Sequence, residues 1–474
     1  MSLFNVEKCL KMNYNVTKSG TLDLVKNLLE DGIMKINFTN NKPKYIEIYE
    51  EITKEINDGI LKGGDKLPSK RVLAMDLNVS INTIMNAYNL LLEEGYISSS
   101  LKKGYFVEKQ LLVNKKIEAK KEEIKDIKKP LYDFTTQSIE GFTNTNFKRI
   151  LRNEISSDLY MNKTNGFGDY ELREIISMHL KENRGIDAKA SHIIIGNGLE
   201  MLERVLNIIK IKSLTLENPG YHKLEKIAKN LGMDVSYIDL DDNGVTIPSK
   251  RTILYTTPFN QFPTGIKMTI SRKKELISYA EENDTFIIED DFDAEFRINS
   301  SQATAMYTLF PSRVIFFSTF TETIYPGLRI SYIILPDSLY DIYYSSYKDY
   351  SQSVSTLEQL ALKRFIMEGY FESHINKLKR KYIDKRKLII DLFKEDDSFT
   401  IDERKNYLSI LVHVNTFLSD KEIKERLQKR SIKIQLLSDF NVYKFESKTL
   451  ILGYTALSKE KLIEGIEIIK KTLK

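Results

Sequence analysis

Six stretches of this sequence have residue types and spacings that could do chemistry. Gly196-Asn197-Gly198 falls between an apolar run, Ile193-Ile194-Ile195, and a helical pattern, so it can present backbone N–H groups at a helix start. That geometry suits a phosphate, and it equally suits a plain tight turn. Thr319 and Thr321 offer two hydroxyls just beyond a second apolar run, Val314-Ile315-Phe316-Phe317. Asp290 closes a third run, Phe286-Ile287-Ile288, and reads either as a carboxylate held at a strand end or as a helix N-cap. Nearer the N-terminus, Ser69-Lys70-Arg71, Ser80-Ile81-Asn82-Thr83 and Lys102-Lys103-Gly104 combine helix starts with positive side chains, the residue types that hold nucleic-acid phosphates. For Lys102 and Lys103, solvated surface charge is the competing reading.

The elements that must position these groups follow from periodicity. Within residues 41–108, Tyr45, Ile48, Tyr49, Ile52 and Ile56 recur at helical spacing and predict a first helix. Leu67-Pro68-Ser69 starts a short second helix, with Ser69 as N-cap and Val72, Leu73 and Leu77 on its buried side. Ser80 caps a third, lined inside by Ile84, Tyr88 and Leu91 and stopped by Gly95. Tyr96 to Val107 then predicts a β-hairpin with Lys102, Lys103 and Gly104 at its tip. Three helices and a two-stranded wing make a winged helix-turn-helix, whose third helix is the one presented to a major groove.

Residues 1–40 are an N-terminal extension of unknown role, in which Thr21 to Leu29 has helical spacing. Residues 109–131 read as a charged linker. From residue 132 to 474, apolar runs at 193–195, 252–255, 286–288 and 314–317 alternate with helical stretches, which predicts an α/β body with a mostly parallel sheet. Its large part spans about 132–385; a smaller α+β part, 386–474, carries strands at 408–412 and 450–452.

Composition sets the outer bounds. A chain of 474 residues with 42% hydrophobic and 29% charged residues is a multidomain globular protein. The single cysteine, Cys9, excludes an intrachain disulfide framework and fits a cytoplasmic setting. No uninterrupted apolar run predicts a membrane span, and the residues after Met1 lack the pattern of a signal peptide. The net charge of +5 is compatible with nucleic-acid binding and does not demand it.

Residues 41–108 resemble the GntR family through Leu67-Pro68-Ser69-Lys70-Arg71, Val79-Ser80-Ile81-Asn82-Thr83, Ala87-Tyr88 and Glu94-Gly95-Tyr96. The remainder is similar to the MocR/GabR-type regulators, which join such a reader to a fold-type I aminotransferase-like domain. Gly168 to Arg173, Glu217-Asn218-Pro219-Gly220-Tyr221, Gln261 to Gly265, Glu289 to Arg297 and Phe371 to Ile375 carry that likeness in order. The resemblance implies a double-stranded DNA operator, a homodimer (head-to-tail in typical members), a small-molecule effector, and a site for pyridoxal phosphate (PLP). In that site it implies Asp290 against the pyridine nitrogen, Tyr221 packing near the cofactor, and Gly196, Asn197, Gly198, Thr319, Thr321 and Arg329 around the phosphate. Tyr221 also reads as ordinary core.

Three positions depart from the family pattern. Glu322 stands in Phe320-Thr321-Glu322-Thr323 where the family has its cofactor lysine, and a carboxylate cannot form a Schiff base. Phe292 replaces a tyrosine, and Ala456, in Gly453 to Leu457, replaces the arginine that clamps a substrate carboxylate. Ile81 replaces the usual reader arginine, so the operator is expected to differ from family norms. The expectation is a DNA-binding regulator without transamination, with covalent PLP absent and a non-covalent phosphate ligand open. The alternatives are a PLP enzyme using another lysine, such as Lys223 or Lys267, and a sensor of a different phosphorylated metabolite.

Overall fold

The computed structural model describes residues 36, 38, 42–100, 103–109, 130–135, 140, 144–162, 164–296, 304–402, 408–443 and 445–474. The helical pattern at Thr21–Leu29, Lys102 at the wing tip, Arg297 and most of the charged linker lie outside these residues. The chain divides into two compact units, Met1–Ile127 and Lys128–Lys474.

In the first unit, α1 (Lys44–Asn57), α2 (Lys70–Asp76) and α3 (Ile81–Glu93) precede an antiparallel hairpin, β1 (Ile97–Ser100) and β2 (Gly104–Val107). Ile48, Ile52, Leu73, Ile84, Ala87, Tyr88 and Leu91 are fully enclosed and form one core. Ser69 and Ser80 are the N-caps of α2 and α3; their hydroxyls accept from Val72 N (3.3 Å) and Thr83 N (3.1 Å). The Tyr88 hydroxyl donates to Pro68 O at 3.0 Å and ties α3 to the start of α2. The expected inward position of Val72 is corrected: Val72 is 45% exposed, and Ala74 takes the buried place beside Leu73. In a helix of only 7 residues the inward face has room for one pair, and 73/74 is the pair aimed at the core. The wing is broader than a hairpin, because Val107 N bonds Asp65 O at 2.8 Å and Leu67 N bonds Tyr105 O at 2.9 Å.

The second unit is built on an 8-stranded sheet. Tyr132–Asp133 forms β3; the sheet strands are β4 (Ile193–Gly196), β5 (Ser213–Asn218), β6 (Asp234–Asp241), β7 (Gly244–Val245), β8 (Ile253–Thr256), β9 (Ile287–Asp290), β10 (Val314–Thr319) and β11 (Ser331–Ile334). Their order is β4-β11-β10-β9-β8-β5-β6-β7, parallel from β10 through β6 and antiparallel at β11 and β7. Alternate residues feed opposite cores: Ile193, Ile195, Val314 and Phe316 one, Ile194, Ile288, Ile315 and Phe317 the other. All four apolar runs predicted as strands are strands. The smaller sheet runs β12 (Phe399–Ile401), β13 (Ser409–Val414), β16 (Thr449–Gly453) and β15 (Gln435–Leu436), while β14 (Ile432–Lys433) pairs with β3. One helix, Tyr370–Phe393, runs unbroken from the large part toward the small sheet.

Candidate functional site

The carboxyl ends of parallel strands are where an open α/β sheet presents ligand groups, and the sequence-predicted residues collect there. Register aligns Gly196, Ser331 and Thr319 in one row across β4, β11 and β10, and pairs Phe317 with Asp290 on β9. The Ser331 hydroxyl donates to Thr319 Oγ1 at 2.9 Å; Thr321 Oγ1 lies 2.9 Å and Thr321 N 3.1 Å from the same oxygen. Helix α4 (Gly198–Ile208) starts beside this row with no side chain capping it. Asn197, its N-cap residue, turns its Oδ1 to Arg329 Nη2 at 3.3 Å instead. A Cβ on Gly198 would meet the Phe317 ring at 3.0 Å and Ser331 Oγ at 3.2 Å, so the backbone lies against the sheet end. Arg329 itself is exposed and holds a left-handed backbone, φ 52°, a conformation rare for a residue with a side chain.

Asp290 is buried at the end of β9. Its Oδ2 accepts from the Tyr255 hydroxyl, and its Oδ1 is enclosed with no hydrogen-bond partner. Burial pushes this carboxyl up to about 8, reinforced by Asp291, Asp293 and Glu217 and opposed by the Tyr255 bond. Glu217, on β5, is buried too, and accepts from Thr257 N (3.1 Å), Thr257 Oγ1 (2.8 Å) and Gln261 Nε2 (3.2 Å). Tyr221 packs on the second core, and burial raises its hydroxyl, with the charges of Asp290 and Glu322 adding to the rise and that of Arg329 opposing it.

Glu322 sits on the turn after β10. Thr323 Oγ1 donates to Phe320 O at 3.0 Å, and His374 Nε2 lies 2.9 Å from Thr323 O, so the turn is held from both sides. Burial raises the Glu322 carboxyl, and the charges of Arg329 and Lys223 oppose that rise. Among the described residues, Glu322 forms no hydrogen bond or ion pair within bonding distance. Phe292 packs against the main core. Ala456 lies in a segment whose carbonyls, Thr455 O (3.0 Å) among them, are taken by the enclosed Lys385 ammonium.

Neither alternative lysine occupies the Glu322 position. Lys223 is exposed with Nζ 5.5 Å over the Tyr221 ring, and Lys267 is exposed with Nζ 5.6 Å over Phe259. Tyr255 and Ser331 are not among the site residues expected from sequence, and Tyr382 is only a landmark of the family resemblance there, beside Phe371 to Ile375. The Tyr382 hydroxyl is buried without a partner, and Glu322 acts on it by charge. The lone tyrosine in Thr252-Ile253-Leu254-Tyr255 was the available signal for Tyr255; Ser331 needed the strand register.

On the reader, Ile81 and Asn82 are exposed at the start of α3, and Ser69, Arg71 and Ser80 are exposed nearby. Thr83 is half-buried, and its Oγ1 lies 2.8 Å from Ser80 Oγ. Lys70 Nζ sits 5.3 Å over the Tyr105 ring of the wing. Gly104 has φ 109°, which fits a wing-tip turn. The same outer face continues to Met85, Asn86 and Asn89, which helical spacing from Ile81 and Asn82 would have found. No helix of the described residues is long and apolar enough to cross a membrane, and they hold no metal-ligating cluster.

The architecture is a winged helix-turn-helix joined to a fold-type I aminotransferase body. Residues 44–107 match the family described as bacterial regulatory proteins, gntR family, and residues 140–469 match aminotransferase class I and II. An uncharacterized HTH-type transcriptional regulator of Bacillus subtilis, YdeL, is 31% identical over 93% of this chain and 98% of its own length. The probable rhizopine catabolism regulatory protein MocR of Rhizobium meliloti is 27% identical over 90% of this chain and 93% of its own. Among solved structures, an archaeal alanine:glyoxylate aminotransferase superposes with TM-score 0.67 at 18% identity, over 74% of this chain and 92% of its own. The chain belongs to the HTH-type transcriptional regulators that carry a gntR-family reader ahead of an aminotransferase class I and II domain.

Proposed function

We propose that this regulator binds an operator in double-stranded DNA through α3 and the wing, and that its body is a ligand-sensing domain without Schiff-base chemistry. Glu322 is the observation that carries the second half. The turn where the family places its lysine presents a carboxylate, and a carboxylate cannot condense with an aldehyde. Phe292 and Ala456 point the same way, since neither can contact a phenolic oxygen or clamp a substrate carboxylate. The rest of the pocket still fits a phosphorylated pyridine. Asp290 has a buried oxygen without a hydrogen-bond partner, and Arg329 adjoins the uncapped start of α4. PLP, when bound in such proteins, supplies an electron sink; here Asp290, Tyr221 and Arg329 would hold a ligand without a covalent link. Assembly as a homodimer, presenting two readers to one operator in the cytoplasm, completes the proposal.

A footprint on the DNA upstream of its own gene tests the reader: a protected site that is lost in Asn82→Ala is expected, and no protection at reduced salt counts against it. Offered PLP, the native chain is expected to release it fully on gel filtration after borohydride. Borohydride-stable label mapped to Lys223 or Lys267 would overturn the proposal for the body.

A further inference from the structure

Two carboxyl groups with open hydrogen-bonding capacity lie at the carboxyl ends of neighbouring strands: Asp290 ends β9 opposite Phe317 of β10, and Glu322 sits on the turn that follows β10. Asp290 Oδ1 is enclosed and has no partner. Glu322 is half-buried, held by a braced turn, and without a hydrogen bond or ion pair among the described residues. The Tyr221 hydroxyl lies within electrostatic reach of both carboxyl groups and of Arg329. A ligand that answers all these groups needs a ring nitrogen that can share a proton with Asp290, an anion for Arg329 and the α4 start, and a donor, preferably cationic, for Glu322.

Against an ionised Glu322, an aldehyde fails the last requirement. Its oxygen accepts hydrogen bonds, as a carboxylate does, so the pair would leave two buried acceptors facing each other. A primary ammonium reverses this, giving a charge-assisted bond in a partly desolvated place. We propose that the body selects the amine form of the phosphorylated pyridine: a 4-aminomethyl group on Glu322, the ring nitrogen on Asp290, and the phosphate at Arg329 and the Gly198 turn. This rests on the reading of Glu322 given under Proposed function. Phe292 agrees with it. A ligand's phenolic oxygen finds no hydroxyl at that position, but an ammonium on the neighbouring ring substituent can donate to it within the ligand itself.

Isothermal titration of the full-length chain with pyridoxamine 5′-phosphate, pyridoxine 5′-phosphate, PLP and inorganic phosphate tests this directly. Pyridoxine 5′-phosphate differs from the amine only by a hydroxyl in place of the ammonium. The amine is expected to bind at least about tenfold more tightly. Glu322→Gln should erase that preference while leaving pyridoxine 5′-phosphate within about threefold of its native affinity, since an amide keeps the shape and loses the charge. Arg329→Ala should weaken all three pyridine phosphates alike. Equal affinities in the native chain, or a preference that survives Glu322→Gln, would overturn the inference. Absence of any pyridine-phosphate binding in a chain that still protects its operator also overturns it, and leaves the reader's assignment standing. Amine selectivity in a chain that protects no DNA supports the inference and sinks the reader's assignment instead.

Discussion

Asp290 holds a proton that the unfolded chain would release. Its carboxyl is pushed up to about 8 by burial, with neighbouring carboxylates adding to the shift, whereas an unfolded aspartate ionises near pH ~3.9. The sign follows from linkage. The stability contributed by the protonated form is complete below the unfolded value, and is lost as pH rises toward the folded one. Asn in place of Asp290 keeps the shape and can still accept from Tyr255, but carries no titrating proton. The expected result is that Asp290→Asn becomes progressively more stable than the native chain between pH ~5 and ~8, read as the difference between the two melting curves. Glu289, raised to about 7 by burial, titrates in both proteins. A gap that stays constant with pH would mean Asp290 is ionised throughout. Much of this site was visible as letters: Glu322, Asp290, Thr319 and Arg329 lie in recognisable runs. Tyr255 and Ser331 were not, because what matters about them is which strand lies next to which.

Helix ends proved more legible than helix faces. Ser69 and Ser80 were read as N-caps from one residue each, and their hydroxyls do accept from the third residue onward. Val72 is apolar yet faces outward, because direction in so short a helix is fixed by where the core lies. The strands divide in the same way. Runs such as Ile193-Ile194-Ile195 announce a strand buried on both faces. By contrast β6, Asp234–Asp241, alternates polar and apolar residues near the sheet edge and gives a weaker signal. The cap at Ser80 carries a prediction of its own, since it orients the first turn of the helix that bears Ile81 and Asn82. Ser80→Ala removes the acceptor for Thr83 N (3.1 Å) and should cost the first unit about 1 kcal/mol. Operator affinity should fall with it, in the footprint titration. A variant with native affinity and native stability would show that the backbone of this turn is held by other contacts.

At the scale of the whole molecule, the chain has cores that share no members: one set around Ile48, Ile84 and Tyr88, the others around the sheet of the second unit. Each unit therefore has the means to unfold as its own cooperative block, and a single melting temperature would not describe the protein. A ligand that binds only the folded second unit stabilises that unit by mass action, by about 2.7 kcal/mol at a hundredfold excess over its dissociation constant. Calorimetry of the intact chain should resolve two transitions, and pyridoxamine 5′-phosphate should raise only one of them. Ser80→Ala supplies the assignment, because it should lower the other. Were the ligand to raise both transitions together, the two units would be coupled thermodynamically, and ligand binding in the second would have a direct energetic route to the DNA-reading helix. Were it to raise one alone, any signal to the operator must come through DNA-bound geometry or assembly of two chains. The same pair of melting curves thus separates two physical modes of regulation that no run of residues in the sequence distinguishes.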